Sequence, residues 1–238
     1  MPRLADVTEA ALASAFRVGP DNPLVGVAER AALLRRLGAA VDDRLGGELG
    51  NLFDLLPDEA AGILDVLLDV LAPIWPGRLS IDGVSLGDAW RHPAIRTRDR
   101  SNGVVPFHKL SQWLTYSLIE PIEQAGLKVT HVDGLTGLPE YRNGGLLIDM
   151  GVIVPRAPLD PAVPYEVGSE LIVEWRALTV ALLDRLREAT RRQLGLASLA
   201  ISQLLQGGTW SAGRAVAMQR RPPDGLPPIA VRADGTVF

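Results

Sequence analysis

The amino-acid sequence contains no cysteine, which excludes both a disulfide framework and a thiolate metal site. Lysine is almost as scarce, because the chain has only Lys109 and Lys128 and uses arginine for its other basic side chains. A lysine ammonium is compact and can titrate, whereas a guanidinium is a planar fork that stays charged. We therefore expect a compact, titratable amine to be needed at these two places.

Long apolar runs and blocks of charge are absent as well. Residues 1–12 lack the apolar core of a secretory signal. The longest apolar-rich stretch, 60–76, is interrupted by Asp65 and Asp69, which indicates a core helix rather than a membrane span. The net charge is −4 and the basic residues are dispersed, which argues against nucleic-acid binding. These features predict a cytoplasmic protein with neither a membrane nor a nucleic acid as partner.

Common catalytic and cofactor motifs are also missing. The sequence has no GxGxxG motif, no P-loop, no GxSxG elbow and no HExxH motif. Its three histidines and its carboxylates form no set with clear metal-ligand spacing. We expect neither a metal nor a cofactor.

The pattern that is present favours a mainly helical fold with small β elements, arranged as a bundle-like domain. With 238 residues, of which 47% are hydrophobic, the chain can build a sizeable core. We expect one domain over 1–238, with a helical subregion at 1–76 and a site-bearing region at 77–238. Apolar spacing and capping residues predict helices over 8–16, 25–45, 57–71, 106–124, 169–193, 196–205 and 212–220.

Turn signals predict the small β elements. Asp-Gly pairs suit type I′ turns and predict hairpins over 78–86 and 229–238. A helical turn is expected at 86–91, and Gly144-Gly145 and Gly207-Gly208 are assigned to turns or helix ends. The remaining predictions are a strand over 127–132 and a loop over 136–145. The apolar run 146–154 fits either a strand or a helix, and its β-branched tail favours a strand.

Residues 104–156 hold most of the chemically useful side chains, and Asp149 is the most distinctive of them. It lies in the apolar run Leu146–Met150, where a carboxylate must be paired, hydrogen-bonded or protonated. Such a group serves either as a base or nucleophile or as one half of a buried ion pair. The sequence leaves both readings open.

Two further clusters in the same stretch are candidates. His108 and Lys109 begin a helix, whose N-terminus attracts anions, although a solvated lysine would give the same pattern. Residues 140–143 place an acid, a phenol, a guanidinium and an amide in one predicted loop, which suits either a binding site or a surface turn. Asp133, which precedes a glycine, fits a turn better than catalysis.

Several long segments of the chain resemble one protein family. They are FRVGPDNPLVGVAERAALLRRLG (16–38), PIWPGRLSIDGVSLGDAWRHPA (73–94), VPFHKLSQWLTYSLIEPIEQAG (105–126), LTGLPEYRNGGLLIDMGVIVPR (135–156), GGTWSAGRAVAMQRR (207–221) and IAVRADGTVF (229–238). The family is the fungal and bacterial uracil-catabolism family of the URC pathway, long labelled a domain of unknown function. Since the resemblance covers essentially the whole chain and family members carry a further N-terminal half, it implies that this chain corresponds to their C-terminal part.

The resemblance implies a role in a route that converts uracil to UMP, opens the ring with a relative of GTP cyclohydrolase II and releases urea and a three-carbon acid. Our hypothesis for the chemistry is hydrolysis of the C1′–N bond of a ribosyl-urea phosphate. The ligand would then be a phosphorylated nucleoside-like small molecule, with other pathway enzymes as further partners. A weaker similarity of DMGVIVP (149–155) to queuosine-salvage N-glycosidases implies a DNA-glycosylase-like helical fold.

This hypothesis assigns roles to ten residues. Asp149 and Glu140 are the catalytic carboxylates, and Lys109 or Arg142 holds the phosphate. Substrate contacts are assigned to His108, Gln112, Tyr116, Asp133, Tyr141 and Asn143. Two alternatives stay open: an amidohydrolase-type step on the ring-opened product, and a non-catalytic protein that binds a nucleotide or a partner enzyme.

Overall fold

The computed structural model describes residues 3–76, 78–160, 163–232 and 235–236, and these are mainly helical with small β elements, as predicted. The helices are α1 (Glu9–Ala15), α2 (Val27–Arg44), α3 (Ala60–Val70), α4 (Lys109–Gln124), α5 (Tyr141–Asp149), α6 (Glu170–Gln193), α7 (Ile201–Leu204) and α8 (Trp210–Arg220). A π-helical turn, Leu205–Thr209, joins α7 to α8, and short 3₁₀ turns lie at Leu4–Asp6, Leu49–Leu55, Ala72–Ile74 and Val132–Gly134.

The first half of the chain folds much as its local signals predict. Thr8 caps α1, since its Oγ1 accepts a hydrogen bond of 3.1 Å from the backbone N–H of Ala11. The apolar faces of α2, α3 and α4 meet in one hydrophobic cluster, with Val41, Ile63 and Ile122 among its buried members. This cluster holds α4 in place from one side.

Short strands connect the helices. The predicted hairpin over 78–86 is confirmed as β1 (Ser80–Ile81) paired with β2 (Val84–Ser85), and Asp82 and Gly83 have φ angles of 52° and 80° in the turn. The strands β3 (Ala89–Arg91) and β4 (Val104–Pro106) pair antiparallel.

The last two strands pair in parallel. They are β5 (Tyr165–Glu166) and β6 (Val231–Arg232). The predicted hairpin over 229–238 lies partly outside the described residues, and its described strand β6 pairs with β5.

Three local predictions are wrong. The helical turn predicted at 86–91 is largely strand β3, because its backbone pairs with β4. The helix predicted from Pro106 begins at Lys109, because Pro106 belongs to β4. The predicted strand over 127–132 is replaced by an isolated bridge between Thr130 and Glu59. Within the described residues, no neighbouring strand is available to extend this pairing.

The largest correction concerns residues 141–149, which form helix α5 where a loop over 136–145 was predicted and a strand was favoured within 146–154. Glu140 caps this helix, and Gly144 allows it to pack closely on α6. A Cβ atom on Gly144 would lie 2.6 Å from Thr179 Oγ1 and 2.7 Å from Trp175 Nε1. Gly144 therefore serves helix packing, and tertiary contacts override the weak helix propensity of the segment.

The second glycine pair, Gly207-Gly208, does not end a helix either. It lies inside the π-helical turn, and the backbone continues without a break into α8. The preceding helix, predicted over 196–205, is reduced to Ile201–Leu204. Gly213 brings α8 against α5, because a Cβ atom there would lie 2.5 Å from the carbonyl oxygen of Arg142.

A buried ion pair joins the strand region to α6. Both guanidinium nitrogens of Arg176 donate to the carboxylate of Asp88, at 2.8 and 2.7 Å, and the Arg176 side chain is 1% exposed. Trp90 Nε1 donates to the same carboxylate at 2.7 Å. Burial opposes ionisation of Asp88, but the hydrogen bonds and charge of Arg176 outweigh it and lower the Asp88 pKa.

We predict that Asp88→Asn lowers the free energy of unfolding by about 3 kcal/mol, because it leaves the Arg176 cation buried without its carboxylate. Chemical denaturation at pH 7 measures this. The matched control is Asp69→Asn, which removes the partner of Arg44 in an exposed pair of 2.8 Å and should cost about 1 kcal/mol or less. Equal losses in the two variants would contradict the prediction.

Candidate functional site

A cavity of about 390 Å³ lies between α4, α5 and the helical segment 201–220. Three of the predicted site residues line it, namely Tyr116, Glu140 and Asn143. The other lining residues are Trp113, Ser117, Glu120, Leu138, Ser202, Leu205, Gln206 and Trp210. The cavity is within the size range of small-molecule sites and combines aromatic walls with a few polar groups.

Glu140 is the buried acid of this cavity. It is 7% exposed, and its Oε2 accepts a hydrogen bond of 2.7 Å from the backbone N–H of Arg142 at the start of α5. Burial raises the pKa of Glu140, while the backbone N–H of Arg142 and the charge of Lys109 oppose the rise. A carboxyl group with a raised pKa in a cavity is suited to donate a proton.

Lys109 is the buried lysine of the two in the chain. Its side chain is 2% exposed, and burial lowers its pKa to about 8, helped by the charge of Arg176. The carboxylates of Glu140 and Asp88 act in the opposite direction. Lys128, by contrast, is exposed. Lys109 and Glu140 are therefore a buried amine and a buried acid whose charges interact, and of the two Glu140 lines the cavity.

The backbone around Lys109 is fixed by the strand region. Its N–H donates to Asp88 Oδ2 at 3.0 Å, and His108 precedes it with a left-handed φ of 47°. His108 thus lies directly before the first residue of α4. Because Asp88 also pairs with Arg176, the start of α4 is tied to α6.

Asn143 connects α5 to the π-helical turn. Its Nδ2 donates to the carbonyl oxygen of Leu138 at 3.1 Å, and its Oδ1 accepts from Thr209 Oγ1 at 2.9 Å. Both side chains are buried. The turn places Gln206 and Trp210 on the cavity wall, in agreement with the frequent occurrence of π-helical turns at functional sites.

Aromatic side chains form the outer wall. Trp113 and Trp210 meet edge to face with ring centroids 6.0 Å apart. The Tyr116 hydroxyl donates to the carbonyl oxygen of Thr136 at 2.9 Å. Burial raises the pKa of Tyr116, as do the charges of Asp133 and Asp184, so the phenol stays neutral at physiological pH.

Asp149, predicted as a catalytic carboxylate, lies at the other end of α5 and does not line the cavity. It is buried, and its two oxygens accept hydrogen bonds of 2.8 and 2.5 Å from the guanidinium of Arg221. This is the ion-pair reading that the sequence left open.

The other predicted residues surround the cavity without lining it. Gln112 Oε1 accepts from the backbone N–H of Thr136 at 3.2 Å, and Asp133 is exposed and paired with Arg187 at 2.8 Å. His108 borders a small void beside Asp88.

Tyr141 and Arg142 belong to the packing of α5. The Tyr141 side chain packs against a hydrophobic cluster. The Arg142 guanidinium donates to the carbonyl oxygen of Gly225 at 2.6 Å and lies 4.9 Å from the centre of the Tyr141 ring.

Sequence reasoning missed several lining residues. In the sequence, Trp113 belongs to the apolar stripe of α4, and Trp210 fits a packed position in the core. Neither pattern distinguishes a cavity wall from the core. Glu120 lies one helical turn beyond Tyr116 on the polar face of α4. This spacing in the sequence could have predicted that Glu120 lines the same cavity as Tyr116.

A second, apolar groove of about 760 Å³ lies beside α4 and is lined largely by α2, the 3₁₀ segment Leu49–Leu55 and α4. Lys109 lines this groove and not the smaller cavity, whereas Trp113 lines both spaces and therefore separates them. Over the described ranges, three or more histidine, aspartate or glutamate side chains nowhere gather in a metal-binding group. No helix in the described part of the chain is both long enough and apolar enough to cross a membrane.

Comparison with known proteins identifies the family. The model of the family described as "Protein of unknown function (DUF1688)" matches residues 1–238. The chain belongs to this family. It is 42% identical over 246 residues to "Protein urg3" of Schizosaccharomyces pombe. The aligned region covers 99% of this chain and 60% of that protein.

A second relative is named for a pathway. The chain is 37% identical over 279 residues to "Uracil catabolism protein 4" of Lachancea kluyveri, which covers 99% of this chain and 62% of that protein. The chain therefore spans about 60% of the length of these two curated relatives.

The lowered pKa of Lys109 predicts how stability depends on pH. The unfolded chain holds this proton up to the ordinary value of 10.5, whereas the folded chain releases it near 8. Unfolding therefore takes up a proton in this window, and stability rises with pH. We expect the free energy of unfolding to rise by about 2 kcal/mol between pH 8 and pH 10, relative to Lys109→Met.

Guanidinium denaturation of the wild type and the variant across this pH range measures the effect. Lys128→Met is the matched control, since it removes the exposed lysine and should keep the wild-type pH dependence. A Lys109→Met variant that follows the wild-type curve at every pH would contradict the assignment of this titration to Lys109.

Proposed function

We propose that this protein acts in uracil catabolism and hydrolyses the C1′–N bond of a ribosyl-urea-type intermediate, releasing urea. The name of the Lachancea kluyveri relative supports the pathway. The observation that carries the reaction is Glu140, a buried carboxyl group with a raised pKa on the wall of a small-molecule cavity. The reaction needs such a proton donor, because a ureido nitrogen leaves a sugar carbon more easily once it is protonated.

The proposed step balances with one water molecule. Protonated Glu140 donates to the ureido nitrogen as the C1′–N bond breaks, and the water oxygen bonds to C1′. Glu120, an exposed carboxylate on the same cavity, takes the proton released by the water. The products are urea and the free sugar. Two carboxyl groups, one acid and one base, are the usual equipment for breaking a glycosidic bond.

Other residues have supporting roles in this proposal. Lys109 limits the rise of the Glu140 pKa, because its charge opposes the effect of burial. Asn143 contributes an amide to the wall and fixes the π-helical turn through Thr209. Asp149 braces the end of α5 through Arg221 and acts on the site only through the position of that helix.

We predict that Glu140→Gln lowers the rate of urea release from ribosyl-urea by at least about 100-fold, since the amide cannot donate an acidic proton. The measurement is free urea and free sugar after incubation with ribosyl-urea, its 5′-phosphate, UMP or uracil. Glu123→Gln is the matched control, because Glu123 is an exposed carboxylate on the same helix as Glu120 and does not line the cavity. It should release urea at the wild-type rate.

Two results would overturn this assignment. Unchanged turnover in Glu140→Gln would remove that residue from the chemistry. Loss of turnover in Asp149→Asn at unchanged stability, with Glu140→Gln active, would move the catalytic role to Asp149. Binding of these compounds without urea release from any of them would support a non-catalytic binding protein.

A further inference from the structure

We infer that the cavity prefers a neutral ureide and disfavours a ureide that carries a phosphate group. This inference rests on the proposed function, since it names the substrate class of the same site. It replaces the expectation, drawn from the sequence, that Lys109 or Arg142 would hold a phosphate.

The charges of the cavity wall carry the argument. Its ionisable acids are Glu120 and Glu140, and none of its lining residues is a lysine or an arginine. A phosphate dianion inside the cavity would be repelled by the Glu120 carboxylate, and no cation on the wall offsets that repulsion. A neutral group meets no such repulsion.

Three basic side chains around the cavity make contacts within the fold. Lys109 is buried and interacts with Glu140 from outside the lining. The Arg142 guanidinium donates to Gly225 and lies on the Tyr141 ring, and Arg187 pairs with Asp133. Recruiting one of them to a phosphate would break a contact that the structure uses.

The remaining wall fits a ureido group. A ureido group is planar and offers N–H donors and one carbonyl acceptor. The Glu120 carboxylate and the hydroxyl groups of Ser117 and Ser202 can accept from the N–H groups, and the Gln206 amide can donate to the carbonyl oxygen. The Trp113 and Trp210 rings provide flat apolar surface for the planar group.

Arg214 provides the competing possibility. It is exposed and lies 4.9 Å from the centre of the Trp210 ring, outside the lining of the cavity. A phosphate held at the rim by Arg214 would let a phosphorylated ureide bind with only its neutral end inside. The test must therefore separate a neutral substrate from one whose phosphate is held at the rim.

The experiment compares ribosyl-urea with ribosyl-urea 5′-phosphate in two assays on the wild-type chain, calorimetric binding and kcat/KM for urea release. We expect the neutral compound to be favoured at least tenfold in both. Glu120→Gln should narrow the difference in binding severalfold, because it removes a negative charge from the wall. Glu123→Gln, which changes an equal charge outside the cavity, should leave the difference unchanged.

Preference for the phosphorylated compound would overturn the inference. If Arg214→Ala abolished that preference, the phosphate would be assigned to Arg214 at the rim of the cavity. A third outcome is that neither compound releases urea, but the neutral one binds more tightly and Glu120→Gln narrows this difference in binding. The inference then holds and the proposed reaction fails. If urea is released faster from the phosphorylated compound, the reaction holds and the inference fails.

Discussion

The ion pair between Asp88 and Arg176 is the contact on which the site region depends. Asp88 receives hydrogen bonds from Arg176 and Trp90 on its carboxylate, and its carbonyl oxygen accepts from the backbone N–H of Phe107 at 2.9 Å. The backbone N–H of Lys109 also donates to the Asp88 carboxylate. One residue therefore fixes the strand pair, the start of α4 and a position on α6 relative to one another. Since α4 carries one wall of the cavity, the geometry of the site follows from this pair.

Burial of ionisable side chains near the cavity is unfavourable, and close packing of the surrounding helices offsets this cost. A buried lysine next to a buried carboxyl group is costly, because each charged form loses its hydration. The surrounding contacts are correspondingly tight. Gly144 and Gly213 let α5 approach α6 and α8 at distances that no larger residue would permit, and the bond between Asn143 and Thr209 ties α5 to the π-helical turn. Such packing can hold an unfavourable pair in place.

Local physics determined what could be predicted from the sequence. The cap at Thr8, the Asp-Gly turn at Asp82 and the apolar periodicity of the long helices are short-range signals, and the structure confirms them. Helix α5 could not be predicted, because its segment contains two glycines and forms through contacts with α6 and α8. The same holds for Gln206 and Trp210, which reach the cavity only because a π-helical turn rotates the following helix.

The difference between the two predicted catalytic carboxylates shows why a site needs geometry as well as composition. Both lie on α5, and both are 7% exposed. Asp149 has each of its oxygens occupied by a nitrogen of Arg221, so its hydrogen-bonding capacity is committed to the fold. Glu140 has one oxygen on the backbone of Arg142 and borders a space large enough for a small molecule. Burial alone marks a carboxylate as unusual, and the partner of that carboxylate decides whether its chemistry is open to a substrate.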